Sequence, residues 1–229
     1  MLVSHSHKFI FFKTHKTVST SIECFLEQFC RPIDYNITEK TDMSETEYGI
    51  VGARQFGDDI APKWYAHIEA TKIKDQLPED IWNQYYKISS TRNTYDRLVS
   101  WWWWVTDKKT NNSEMMKELA NSPFDIIRKR FNTDVQEAKI NLAVLKRNEW
   151  IVHVGNQLVI DKFIRYEHLQ SDMEELCCNL GITIKCVLPK FKTNTRLRSE
   201  PFQDYYDNKT IEIVKDMAKW EINYFNYTF

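Results

Sequence analysis

Lys8-Phe9-Ile10-Phe11-Phe12-Lys13-Thr14-His15-Lys16-Thr17-Val18-Ser19-Thr20-Ser21-Ile22 decides the fold class. Four apolar residues between two lysines predict a buried strand, because a strand covered on both faces has no polar face to show. A polar turn follows over 14–18. Ile22, Cys24, Phe25, Leu26 and Phe29 then line one side of a helix at the i, i+3, i+4, i+7 spacing. Ser19 or Thr20 is the expected N-cap, Glu23 suits the first turn, and Arg31-Pro32 ends the helix. A strand that turns into a helix through hydroxyls outlines an anion site. The first turn's N–H groups and the positive end of the helix dipole face the turn, and Lys16 adds a full charge.

The alternation repeats downstream. A strand is expected near Ile50-Val51, helices over 68–77 and from Pro78-Glu79-Asp80, and a second central strand over 85–90. Arg92-Asn93-Thr94 then turns into a helix carrying Tyr95, Leu98 and the four tryptophans Trp101, Trp102, Trp103 and Trp104. Residues 150–153 and 158–164 read as a hairpin around Gly155-Asn156, 167–180 as an amphipathic helix stopped by Gly181, and 208–223 as a last helix. This order predicts an α/β domain with a central, mostly parallel sheet flanked by helices. One domain is expected over 1–229, with 107–149 a helical insertion and 188–206 a basic loop able to cover a site.

Composition limits the chemistry. Only 5 of 229 residues are glycine, about 2% against roughly 7% on average. A dinucleotide fingerprint needs three glycines within six positions, and no three of Gly49, Gly52, Gly57, Gly155 and Gly181 fit. Gly52 and Gly57 have P-loop spacing, but Asp58 and Asp59 follow them where Lys and Ser/Thr belong. A formal charge of −1 argues against bulk capture of nucleic acid or anionic membrane. No apolar run approaches the roughly 20 residues of a membrane span. Cys24, Cys30, Cys177, Cys178 and Cys186 form no C-x-x-C pair and read as reduced thiols of a cytoplasmic protein.

Taken with the loop at 13–21, the stretch Arg92-Asn93-Thr94-Tyr95-Asp96-Arg97-Leu98-Val99-Ser100 is informative. The two resemble the nucleotide loops of the sulfotransferases that use 3′-phosphoadenosine 5′-phosphosulfate, especially the carbohydrate branch. The family's K-T-x-x-S/T-S/T-like loop is similar to Lys16-Thr17-Val18-Ser19-Thr20-Ser21, and Lys13-Thr14-His15-Lys16 looks like the galactose-modifying members. Its R-N-P-Y-D-R-x-x-S segment is similar to 92–100. Phe163-Ile164-Arg165-Tyr166-Glu167-His168-Leu169 is similar to its R-Y-E-x-L turn, and Tyr205-Tyr206-Asp207 through Phe225-Asn226-Tyr227 to its closing helix and F-G-Y end. Thr94 replaces the usual proline, Asn226 a glycine, and Val18 stands where glycine is common. A valine there is expected to impose an ordinary non-glycine backbone.

The resemblance implies a P-loop-like three-layer fold and direct in-line sulfuryl transfer to an acceptor hydroxyl, in a carbohydrate by preference, with no metal. It implies that Lys16 neutralises the leaving phosphate, that Lys13, Thr17, Val18, Ser19, Thr20 and Ser21 surround the 5′-phosphosulfate, and that Arg92 and Ser100 hold the 3′-phosphate. Thr195 and Arg196, in the basic stretch 190–198, are expected over nucleotide or acceptor. A base must take the acceptor's proton. His67 stands where relatives carry a histidine, with Glu69 and Glu23 as competitors; His15 faces the sulfate or shapes the turn. The competing classes are a nucleotide phosphotransferase, which lacks its Gly-Lys-Ser/Thr loop here, and an RNA- or partner-binding module, which the near-zero charge disfavours.

Overall fold

The computed structural model describes residues 1–55, 61–109, 143–189 and 200–229. They form two compact units, residues 1–91 with 150–191, and residues 92–149 with 192–229.

The first unit is built on a six-stranded sheet in the order β3-β4-β1-β2-β5-β8, from β1 (Leu2–Ser4), β2 (Phe9–Phe12), β3 (Ser44–Thr46), β4 (Gly49–Val51), β5 (Tyr86–Thr91) and β8 (Lys162–Arg165). β2, β5 and β8 pair in parallel, while β2-β1, β1-β4 and β4-β3 are antiparallel. Four of the six strands, β2, β4, β5 and β8, therefore run one way. Every residue of β2 is fully buried, as its unbroken apolar run requires. Helix α1 (Ser19–Glu27) sends Ile22, Phe25 and Leu26 into a core shared with Phe9, Phe11, Ile88, Ile164 and Leu176. Helices α2 (Ala70–Gln76) and α3 (Glu79–Gln84) precede β5, and α6 (Leu169–Asn179) follows β8. Gly181, at φ 67°, terminates α6 in the left-handed conformation that glycine takes at no steric cost. Gly49 has a different reason: a Cβ there would lie 2.1 Å from the Val3 carbonyl oxygen.

The N-terminal residues pair as β1 with both β2 and β4. His5 and His7 are accordingly engaged, His5 Nδ1 with the Tyr85 hydroxyl at 3.0 Å and the His7 ring against Phe29 at 4.7 Å. Residues 150–152 end helix α5 (Ala143–Val152), so the hairpin is only β6 (His153–Val154) and β7 (Gln157–Leu158), and β8 joins the main sheet.

The second unit packs α4 (Thr94–Lys109) against α7 (Asn208–Met217), with Leu98, Val99, Trp103, Tyr205, Tyr206 and Val214 in its core. The closing helix is two helices, α7 and α8 (Lys219–Phe225), broken at Ala218. Asp207 and Thr210 cap α7 reciprocally, by Thr210 N–H to Asp207 Oδ1 at 2.8 Å and Asp207 N–H to Thr210 Oγ1 at 3.0 Å. Asn226, at φ 54°, ends α8 where glycine is usual; asparagine is the side chain that visits this region most readily. Of the tryptophans, Trp103 is core, and Trp101 packs beside it with its ring 5.0 Å from Trp104. No helix among the described residues is long and apolar enough to cross a membrane.

Candidate functional site

The chain leaves β2 at Phe12 and enters α1 at Ser19 through a turn held by its own hydroxyls. Ser89 Oγ donates to the Phe12 carbonyl at 2.9 Å, and Thr14 Oγ1 to the Ser90 carbonyl at 2.6 Å. Thr17 Oγ1 lies 2.8 Å from both Thr14 Oγ1 and Ser90 Oγ, and Ser19 Oγ donates to the Thr14 carbonyl at 2.6 Å. The hydroxyls of Thr17 and Ser19 are thus buried and used within the loop, whereas Thr20 and Lys16 remain partly exposed. Ser19 does not cap the helix. Val18 is the N-cap, with no side-chain hydrogen bond, at φ 63° and ψ 11°.

That conformation overturns the expectation of an ordinary non-glycine backbone. Lys16, at φ 59°, is left-handed as well. A β-branched residue here is unusual and costs about 1–3 kcal/mol. The Val18 side chain gains some of that back by packing on the core of the first unit. Left-handed residues before a helix N-terminus turn successive N–H groups toward one concavity, the arrangement that binds anions. The shape a glycine loop takes freely is here imposed by packing and hydrogen bonds.

His67 comes to this loop from the segment before α2. Its Nδ1 is 2.9 Å from the Lys13 carbonyl oxygen, and its ring is stacked on His15 with centroids 3.7 Å apart and planes 12° from parallel. A carbonyl only accepts, so Nδ1 carries the proton and the neutral ring holds its lone pair on Nε2. Burial first, then the charges of His15, Lys13 and the Met1 ammonium, hold His67 well below the usual histidine range. An imidazole kept neutral, with Nδ1–H anchored, is the form a general base needs.

Behind the loop lies a buried ion network. The Lys13 ammonium sits on Glu23, which also takes the Met1 ammonium at 2.8 Å and Arg54 at 3.5 Å. Arg54 bridges to Glu27 at 2.6 Å, and Arg31 pairs with the same carboxylate. Burial alone would raise the Glu23 carboxyl, but Lys13 and the Met1 and Arg54 charges hold it down to about 2. Fully buried and pinned by cations, Glu23 has no access to an acceptor and no affinity for its proton at neutral pH. Glu69 is the half-buried N-cap residue of α2.

In the second unit, Arg92 Nε and Nη2 both reach Asp96 Oδ2, at 2.7 and 2.6 Å. Ser100 lies one turn beyond Asp96 on the same line of α4. Arg97 is turned inward and pairs with the buried Glu221, which also accepts from Thr94 Oγ1 at 2.9 Å. Asn93 Oδ1 accepts from the Tyr95 N–H at 3.0 Å, and its amide donates to the Thr228 carbonyl at 2.9 Å. At the R-Y-E turn, Arg165 grips Asp172 with Nε and Nη2 at 2.8 and 2.7 Å. Thr195, Arg196 and the stretch 190–198 lie outside the described residues, as does most of the expected insertion, 110–142.

The structure thus brings Lys13, Lys16, residues 17–21 and His67 to one strand end, and places Arg92 just before α4, paired with Asp96, with Ser100 one turn further along the helix. Sequence reasoning missed Thr14, Ser89 and Ser90, which shape the loop, and Glu221, which orders the start of α4. Hydroxyls at the ends of neighbouring parallel strands were a readable signal for the first three. Glu221 had none, being 124 residues from Arg97.

A model of the sulfotransferase family matches residues 1–228, which spans both units. No curated protein and no solved structure gives a match. With its P-loop-like α/β fold, its hydroxyl-rich strand-to-helix loop and that match, the chain belongs to the sulfotransferase family, transferases that move a sulfuryl group to a hydroxyl-bearing acceptor.

Proposed function

We propose that the sulfuryl donor is 3′-phosphoadenosine 5′-phosphosulfate and that the acceptor is a sugar hydroxyl. The observation that carries this reading is His67: a neutral, Nδ1-anchored imidazole beside the turn from β2 to α1. The donor's 5′-phosphosulfate is assigned to the N–H groups of 16–20, the Lys16 ammonium and the Thr20 hydroxyl. Thr17 and Ser19 hold the loop in shape, and Lys13 supports it from behind through Glu23. Arg92 and Ser100 are assigned to the 3′-phosphate, with Asp96 fixing the guanidinium plane. His67 Nε2 takes the acceptor proton as the acceptor oxygen attacks sulfur, while Lys16 meets the charge developing on the leaving phosphate. In-line geometry and charge neutralisation supply the catalysis, as they do for phosphoryl transfer. The resemblance of Lys13-Thr14-His15-Lys16 to galactose-modifying members supports the choice of a carbohydrate acceptor.

Thermal-shift titration tests the donor. Adenosine 3′,5′-bisphosphate at 100 times its Kd should stabilise the protein by about 2.7 kcal/mol, and ATP with Mg²⁺ should do less. Tighter binding of the ATP complex would overturn the assignment. A labelled-sulfate transfer assay over sugar acceptors then tests the second half, with Lys16→Ala and His67→Ala as inactive controls.

A further inference from the structure

His15 is the loop residue whose placement the proposed chemistry leaves unexplained. Its ring covers His67 face to face, 3.7 Å between centroids and 12° from parallel, although 52 positions separate them in the chain. Two constraints therefore meet on His67. The Nδ1–H bond to the Lys13 carbonyl fixes one direction in the ring plane, and the stack fixes the plane itself. Together they set where the Nε2 lone pair lies, since that lone pair is in the plane and across the ring from Nδ1. His67 is also left-handed in backbone, at φ 64°, so its position is held against local preference.

The same contact is electrostatic. Two imidazolium ions at this separation repel strongly, so the pair admits one extra proton in the range where a single histidine titrates. The charged groups that act on His67 are His15 and Lys13 from the loop and the Met1 ammonium just before β1. Glu23 of α1 offsets the last two by pairing with both. No carboxylate is paired with the His67 ring itself, among the hydrogen bonds and ion pairs of the described residues.

We propose that His15 is the positioning residue for His67: it holds the imidazole plane and takes the first proton of the stacked pair, so that His67 keeps its Nε2 lone pair as pH falls. This rests on the reading of His67 as the base. A proton on His15 places a second cation in the loop beside Lys16, so acidification strengthens attraction for a polyanionic donor without disabling the base.

The test is a side-chain NMR titration of the six histidines in the full-length wild type and in His15→Phe, which keeps an aromatic face and removes the charge. His67 is assigned with His67→Gln. In the wild type, the His67 signal should remain that of the Nδ1–H neutral form while His15 titrates. In His15→Phe, His67 should titrate about one pH unit higher. An unchanged His67 titration would overturn the proposal. In turnover assays, His15→Ala should lower kcat about tenfold with a smaller change in the donor KM. His15→Phe should recover most of that kcat while the acid limb of its pH profile moves upward. If Phe is no better than Ala, the stack does not position His67. Should His15→Ala fail to fold, the Phe titration still decides. Near-normal turnover of His67→Ala would remove the base reading alone, because the NMR titration detects the coupling whether or not His67 is catalytic.

Discussion

Lys13 faces two ways: its ammonium is buried on the Glu23 carboxylate, and its carbonyl oxygen holds the Nδ1–H of His67. One residue thus ties the ion network behind the loop to the ring proposed as base. Removing the Glu23 charge strands the Lys13 ammonium in a dry environment, which costs about 3–5 kcal/mol for a buried pair. Glu23→Gln should lower urea stability by an amount of that order, and Lys13→Met by somewhat less, since Met1 and Arg54 still neutralise Glu23. Lys13→Met should weaken bisphosphate binding less than Lys16→Met does, measured by calorimetry. The opposite ranking would make Lys13 a direct ligand.

Val18 predicts an inversion of the usual order of substitutions. Glycine ordinarily destabilises relative to alanine, but at φ 63° alanine keeps the left-handed penalty and glycine does not. Both lose the valine's packing on the core. Val18→Gly should therefore be more stable than Val18→Ala by about 1 kcal/mol in chemical denaturation. Equal stabilities would show that the backbone relaxes out of the left-handed region.

Thr94 tests whether the departure from the family's proline is compensated. Proline suits the first position of a helix, and Thr94 occupies it in α4. The hydroxyl, however, donates to the buried Glu221 at 2.9 Å. Thr94→Val should cost about 1–2 kcal/mol by leaving that carboxylate with one donor fewer. Thr94→Pro should also be destabilising, by less, because a fixed φ offsets part of the loss. A melting temperature above wild type for Thr94→Pro would sink this account.

Acid should destabilise the protein in two stages. His67 lies below its unfolded value near 6.5, so the unfolded chain binds the extra proton first, and stability falls as pH drops through 6.5 toward the folded value. Glu23, held to about 2 against an unfolded value of 4.5, adds a second loss as pH falls from 4.5 toward 2. His67→Gln should flatten the first stage and leave the second, in unfolding free energies measured from pH 8 to pH 3. An unflattened first stage would assign it to another group.

Legibility followed locality. The strand at 9–12, the helix after it and the strand before Arg92 were readable because apolar runs and 3.6-residue periodicity lie within a few residues of one another. β1 was not, since Leu2, Val3 and Ser4 become a strand only through pairing with residues 9–11 and 49–51. Residues 150–152 show the ambiguity of a short apolar run, which periodicity alone cannot assign to helix or strand. In the candidate site, Lys16, Thr20 and His67 were proposed from residue type and resemblance. The inward turn of Thr17 was hidden, because it depends on Ser90, some 70 positions away.

Lys16, Val18 and His67 all sit in backbone conformations that side chains avoid, and none of them is glycine. A glycine loop samples many shapes when empty and must be ordered by its ligand. Side chains at these three positions, once packed and stacked, narrow that freedom before any ligand arrives. The substitution landscape is then lopsided: glycine and asparagine suit the backbone at 16, 18 and 67, while proline, whose φ is fixed near −65°, is closed at all three. Drift at this loop has a direction, toward looser sequences that fold as well and bind with a larger ordering cost.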